Sequence, residues 1–139
     1  MTKNKVKEQT ALQKKEKSER ELALAILLEV EKGEKSHLVL RSVLEKYQYL
    51  DKQERAFLTR LTEGTIERTL ELDYIINQYS KTKVQKMKPV IRNILRLAVY
   101  QIKYMDNVPD SAACNEAVKL AGKKGFGTLK GFVNGVLRS

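Results

Sequence analysis

Cys114 is the single thiol of this sequence and His37 its single imidazole. A nucleophilic centre needs a thiolate or alkoxide beside a base, and a structural zinc site needs about four thiolate or imidazole ligands. One cysteine and one histidine build neither. Cys114 stands among small apolar residues at a helix start, which suits a core position. His37 lies next to a helix start and suits the surface. The carboxylates fall on solvated helix faces with lysines nearby. "GKKGFG" (122–127) carries glycines but lies between two helical stretches, so it reads as a helix breaker rather than a phosphate loop. No catalytic residue, metal ligand or cofactor site is expected in this chain.

The chemistry that remains is electrostatic. The chain has 27 Lys and Arg against 17 Asp and Glu, for a net charge of +10. The charge is segregated. Residues 1–20 hold 7 basic and 3 acidic side chains, residues 21–80 hold 8 and 11, and residues 81–139 hold 12 and 3, giving +4, −3 and +9. Segregated positive charge points to a polyanionic partner, although many basic proteins bind none. No apolar run is long enough to cross a bilayer, and no apolar segment follows the lysine-rich N-terminus, which argues against a transmembrane helix and a secretory signal. A lone cysteine excludes an internal disulfide and fits a reducing compartment. The expectation is a cytoplasmic domain.

The positioning elements read as helices throughout, with no strand alternation and no internal repeat. Residues 1–17 are too polar to fold alone and read as a flexible basic arm. The folded domain is 18–139. "SERE" (18–21) forms a capping box before the face Leu22, Ala25, Ile26 and Val30, and Gly33 stops that helix. Ser36 opens a second helix with Val39, Leu40, Val43 and Leu44. "DKQE" (51–54) opens a third, and Thr69 is placed to cap a fourth holding Leu72, Ile75 and Ile76. A basic loop (80–88) follows. Pro89 starts a helix to about residue 105 that is apolar around most of its circumference, so it must be central. Asp110 or Ser111 caps a helix to Leu120, and 129–138 is the last. The fold class is all-α, with about seven helices.

Three blocks carry a resemblance: "IRNILRLAVYQI" (91–102), "VPDSAACNEAVKLA" (108–121) and "GFVNGVLR" (131–138). With "ERAFLTRLTEGTIERTLELDYII" (54–76), they resemble the NusB family of helical RNA-binding domains over roughly residues 18–138. The family has two branches: free-standing antitermination factors, which bind RNA with a small ribosomal protein, and the N-terminal domain of RsmB (Sun/Fmu) type rRNA cytosine-C5 methyltransferases. "EGTIERTLELDYII", "VPDSAACNEAV" and the terminal "VLR" are more similar to the methyltransferase branch, with Cys114 where valine is usual. That resemblance implies rRNA as partner, a ribosomal protein or a C-terminal catalytic domain as a further partner, and S-adenosylmethionine only in a domain downstream. It also makes the stop at "VLRS" look like a domain boundary. A protein-interaction module is the alternative from a different class.

RNA binding would rest on phosphate contacts. Lys14, Lys15, Lys17 and Arg20 form one candidate group, favoured by the family's basic N-terminus. Lys81, Lys83, Lys86 and Lys88 form the second, and Arg92 adjoins it on the polar stripe of the central helix. Arg92 or Arg96 can instead pair internally with Glu116 or Asp73. Tyr100 and Tyr104 could stack on bases, but aromatics on so apolar a helix suit the core. Asn115 and Asn134 read as buried amides that bond to one another across adjacent helices, with Arg96 and Glu116 as further structural polar residues.

Overall fold

Local chemistry sets each helix boundary in the computed structural model, which describes residues 17–139. The helices are α1 (Glu19–Glu31), α2 (Ser36–Lys46), α3 (Lys52–Glu67), α4 (Thr69–Tyr79), α5 (Pro89–Tyr104), α6 (Asp110–Lys123) and α7 (Lys130–Leu137). Short 3₁₀ turns at Val84–Lys86 and Gly127–Leu129 precede α5 and α7. Among the described residues there is no strand. The expected all-α class and about seven helices are found, and the central helix expected at about 89–105 runs from Pro89 to Tyr104. Residues 1–16 of the arm, with Lys14 and Lys15, lie outside the described residues.

Asp51 opens α3 with a reciprocal box: its side chain accepts from the Glu54 N–H at 2.8 Å, and the Asp51 N–H donates to Glu54 at 3.0 Å. The Ser18 box is only half made. Ser18 accepts from the Glu21 N–H at 3.2 Å, but the Glu21 carboxylate turns away to Lys123, at 2.7 Å, and Lys124, at 3.4 Å. Two ammonium groups hold that carboxylate more strongly than one backbone N–H would. Thr69 does not cap α4. Its hydroxyl donates back to the carbonyls of Thr65 and Ile66, which uses it inside the turn that joins α3 to α4. Gly33 adopts φ +109 after α1, which brings the Glu34 N–H to the Glu29 carbonyl at 3.2 Å.

α5 is the centre. It packs on α1, α3, α4, α6 and α7. Its residues Ile91, Ile94, Leu95, Leu97 and Ala98 are each at most 2% exposed. Burial of this kind contributes about 1.5–3 kcal/mol per large side chain. Two polar residues share the buried surface, and their NH₂ groups are satisfied on their own helix: Asn93 donates to the Pro89 carbonyl at 2.8 Å, and Gln101 donates to the Leu97 carbonyl at 2.9 Å. Gly64 of α3 lies directly under the Tyr100 ring, and a Cβ there would come within 2.1 Å of the ring. α2 is peripheral, packing on α1 and α3 with Leu40 as its one buried residue.

Candidate nucleic-acid interface

α1 and α5 run antiparallel. Arg20, in the first turn of α1, reaches Gln101 near the end of α5, whereas Glu31, at the end of α1, reaches Arg92 near the start of α5. Lys17 and Arg20, the described members of the first basic group, therefore lie at the opposite end of the bundle from the second group. Lys88 and Gln101 are about 20 Å apart along the helix axis.

At the α1 end, both described members of the first group already have partners. Lys17 donates to the Tyr47 hydroxyl at 3.2 Å and sits 5.5 Å from that ring's centre, while remaining exposed. The Lys17 hydrogen bond is the first cause holding the Tyr47 phenol below its usual range, ahead of burial, which opposes it. Arg20 donates its Nε to Gln101 at 2.7 Å and lies 5.4 Å from the Phe57 ring centre. It is the partner of a buried amide, which gives it a structural task.

At the other end, the loop before α5 is pinned by two apolar side chains. Val84 is fully buried and Met87 nearly so, and the Val84 N–H donates to Asn77 at 2.9 Å. Lys81, Lys83, Lys86 and Lys88 alternate with these anchors and are all exposed. Among the described residues none of the four makes an ion pair. The loop thus holds four ammonium groups outward on a fixed backbone.

Arg92 adjoins this row but is engaged. It donates to Glu31 at 2.6 Å and to the Met87 carbonyl at 3.1 Å. Burial tends to raise the Glu31 carboxyl, but the hydrogen bond and charge of Arg92, joined by the Arg96 charge, bring it below the usual range. Arg96 grips Asp73 with two parallel bonds, at 2.7 and 2.8 Å, and also donates to Asn93 at 3.1 Å. Glu116 is no partner to either arginine. It lies 3.7 Å from Lys119 on its own helix.

Tyr100 and Tyr104 are both engaged by neighbouring residues. Tyr100 is 7% exposed, packed over Gly64. Tyr104 is half-buried, with the Arg68 guanidinium 4.3 Å from its ring centre and its hydroxyl bonded to Glu71.

The two asparagines correct the sequence reading. Asn115 is exposed and Asn134 only half-buried. They do not bond to each other. Arg138, one turn beyond Asn134, donates Nε to Asn134 Oδ1 at 2.7 Å and Nη2 to Asn115 Oδ1 at 3.3 Å. The α6–α7 seam is closed by Ala117, Ala121, Val133 and Val136, which leaves the asparagines on its outer rim. The sequence signal for Arg138 was its spacing of one helical turn from Asn134. The Glu21 clamp on Lys123 and Lys124 had no local signal.

Among the described residues no helix is long and apolar enough to cross a membrane, and no group of acidic, histidine or cysteine side chains could hold a metal. The pattern of the NusB family matches residues 17–139. The chain is 40% identical over 126 residues to a probable ribosomal RNA small subunit methyltransferase B of Bacillus subtilis, spanning 90% of this chain but 28% of that relative. It is 36% identical over 122 residues to the transcription antitermination protein NusB of Desulforamulus reducens, covering 85% of this chain and 83% of that protein. A chain in the crystal structure of antitermination factors NusB and NusE with dsRNA has the same fold, with a TM-score of 0.79 at 24% identity over 88% of this chain and 92% of that one.

Proposed function

This chain belongs to the NusB family, and from that membership we infer that it is a non-catalytic RNA-binding module working on small-subunit rRNA as part of a cytoplasmic rRNA methyltransferase. The observation that carries the RNA reading is the row of Lys81, Lys83, Lys86 and Lys88, exposed and unpaired on a loop anchored by Val84 and Met87. Ammonium groups held this way meet phosphates with little ordering cost, and each such pairing releases counterions. Lys17 would add a phosphate pairing at the other end of α5, and the arm lysines Lys14 and Lys15 would contribute further charge. The methyltransferase branch is supported by the 40% identity with the Bacillus subtilis relative. S-adenosylmethionine and methyl transfer would then belong to a separate domain, and calorimetry of this chain with S-adenosylmethionine should give no heat of binding.

A free-standing antitermination role is the second reading, favoured by the 83% coverage of the Desulforamulus reducens protein. The two separate in one experiment. Fluorescence anisotropy with labelled small-subunit rRNA fragments should show binding that weakens steeply with salt. If added NusE raises the affinity, the antitermination reading takes precedence. If no RNA binds at low salt, the RNA reading fails, and a module that docks other proteins replaces it.

A further inference from the structure

The polar rim of the α6–α7 seam has a built-in directionality. A guanidinium group only donates hydrogen bonds, so the amide oxygens of Asn115 and Asn134 must face Arg138. This fixes the flip of both amides and turns both NH₂ groups away from the arginine. Among the described residues neither NH₂ group donates a hydrogen bond. Both asparagines line an open depression of about 510 Å³ whose other walls are Val118, Lys119, Lys130 and Gly131. Arg138 is not part of the wall. At the far end Gly122 lets the Lys130 stem lie against α6, since a Cβ there would come within 2.3 Å of Lys130 Cε. Glu116 is loosely paired with Lys119 at 3.7 Å.

The depression therefore offers two oriented amide donors and two ammonium groups over a small apolar floor. Donors without matching acceptors suit an oxyanion with several free lone pairs. We propose that the α6–α7 groove binds a backbone phosphate of single-stranded RNA, with Asn115 and Asn134 donating to its oxygens, Lys119 and Lys130 supplying charge, and Arg138 acting as the positioning residue that aims the two amides. This rests on the RNA-binding reading above and adds to it a second phosphate site away from the lysine-rich loop.

The test uses Asn134→Asp. A carboxylate keeps the acceptor for Arg138 and strengthens that bond, so the fold is retained, but the donor to phosphate becomes an anion. Asn107→Asp, on the exposed turn after α5, makes the same charge change elsewhere. With a fluorescein-labelled 12-nucleotide single-stranded RNA, Asn134→Asp should lose about ten-fold in affinity, the scale of one charged hydrogen bond. Asn107→Asp should change affinity far less. In the unmodified protein, the side-chain NH₂ resonances of Asn115 and Asn134 should shift as RNA is added, a readout that needs no variant. If the unmodified protein binds RNA but both variants bind alike and these resonances stay fixed, the groove is not a phosphate site and the RNA reading survives without it. In that case the donors are left to the carbonyl groups of a polypeptide. If the unmodified protein binds no RNA, both proposals fall together.

Discussion

The two ends of α5 solve one problem in opposite ways. At the Pro89 end, charge is taken inside. Arg96 and Asp73 are 13% and 14% exposed and doubly bonded, and Glu31 ties Arg92 to the same network. At the Tyr104 end, charge stays in water. Glu71 collects Lys103, Arg68 and the Tyr104 hydroxyl on the surface, with Lys103 46% exposed. What fixes that end is packing, with the Tyr100 ring seated on Gly64. The same residue types therefore carry different weight. A half-buried pair cannot lose one member without stranding the other, whereas an exposed cluster can hand its partners to water.

The sharpest way to break this contrast is Arg96→Ala. It leaves Asp73 half-buried without its bidentate partner and should lower unfolding free energy by about 2–4 kcal/mol in urea titration. Replacing both partners, Arg96→Met with Asp73→Leu, should recover part of the loss. An Arg96→Ala protein as stable as the parent would end the claim that this pair matters.

Next comes the packing at the opposite end. Gly64→Ala forces the Tyr100 ring to move and should cost about 1–3 kcal/mol, read in the same urea titration. Tyr100→Leu in the same protein should relieve most of that cost, because the clash is with the ring itself.

The exposed cluster should report through titration instead of stability. Hydrogen bonds from Lys103, then Tyr104, hold the Glu71 carboxyl down at about 2. Its folded-state value is depressed, so any stabilisation it gives is present above the ordinary value of 4.5 and is lost as pH falls from there toward 2. An NMR titration should find that low midpoint, and Lys103→Met or added salt should raise it.

The smallest effect on the fold should come from the lysine loop. Changing Lys81, Lys83, Lys86 and Lys88 to Ala leaves Val84 and Met87 seated, so the melting temperature should barely move. The salt dependence of RNA binding should flatten by about 0.7 in log–log slope for each phosphate the loop no longer neutralises. Arg20 does not belong in such a surface set. Removing it leaves the side-chain carbonyl oxygen of Gln101 without its partner, and stability should fall with it.

The helix count and the central helix were legible because apolar spacing at 3.6 residues survives any tertiary context. Ile91, Leu95 and Ala98 announced their burial by position alone. The polar residues were less legible. An asparagine among apolar neighbours has the same sequence signature whether it faces the core, as Asn93 does, or the rim, as Asn134 does. Only the angle at which α7 crosses α6 decides between them. The same limit applies to Arg92: one helix turn from Arg96 on a polar stripe, it could equally meet solvent or Glu31. Ion pairs between distant segments, such as Glu21 with Lys123, depend on which helix ends meet, and no local pattern encodes that.

The Glu21 clamp also imposes an order on folding. Its carboxylate and Lys123 are 102 residues apart in the chain. At about 5–20 residues per second of synthesis, α1 waits on the order of 5–20 seconds before its partner leaves the ribosome. In that interval α1 can pack on α3, but the carboxylate at position 21 lacks Lys123 and Lys124. Until α6 arrives the carboxylate stays hydrated, and the first turn of α1 relies on the Ser18 cap alone. Only when α6 docks can the charge reach its 6% exposed place, so the bonds that lock the first helix wait for the sixth.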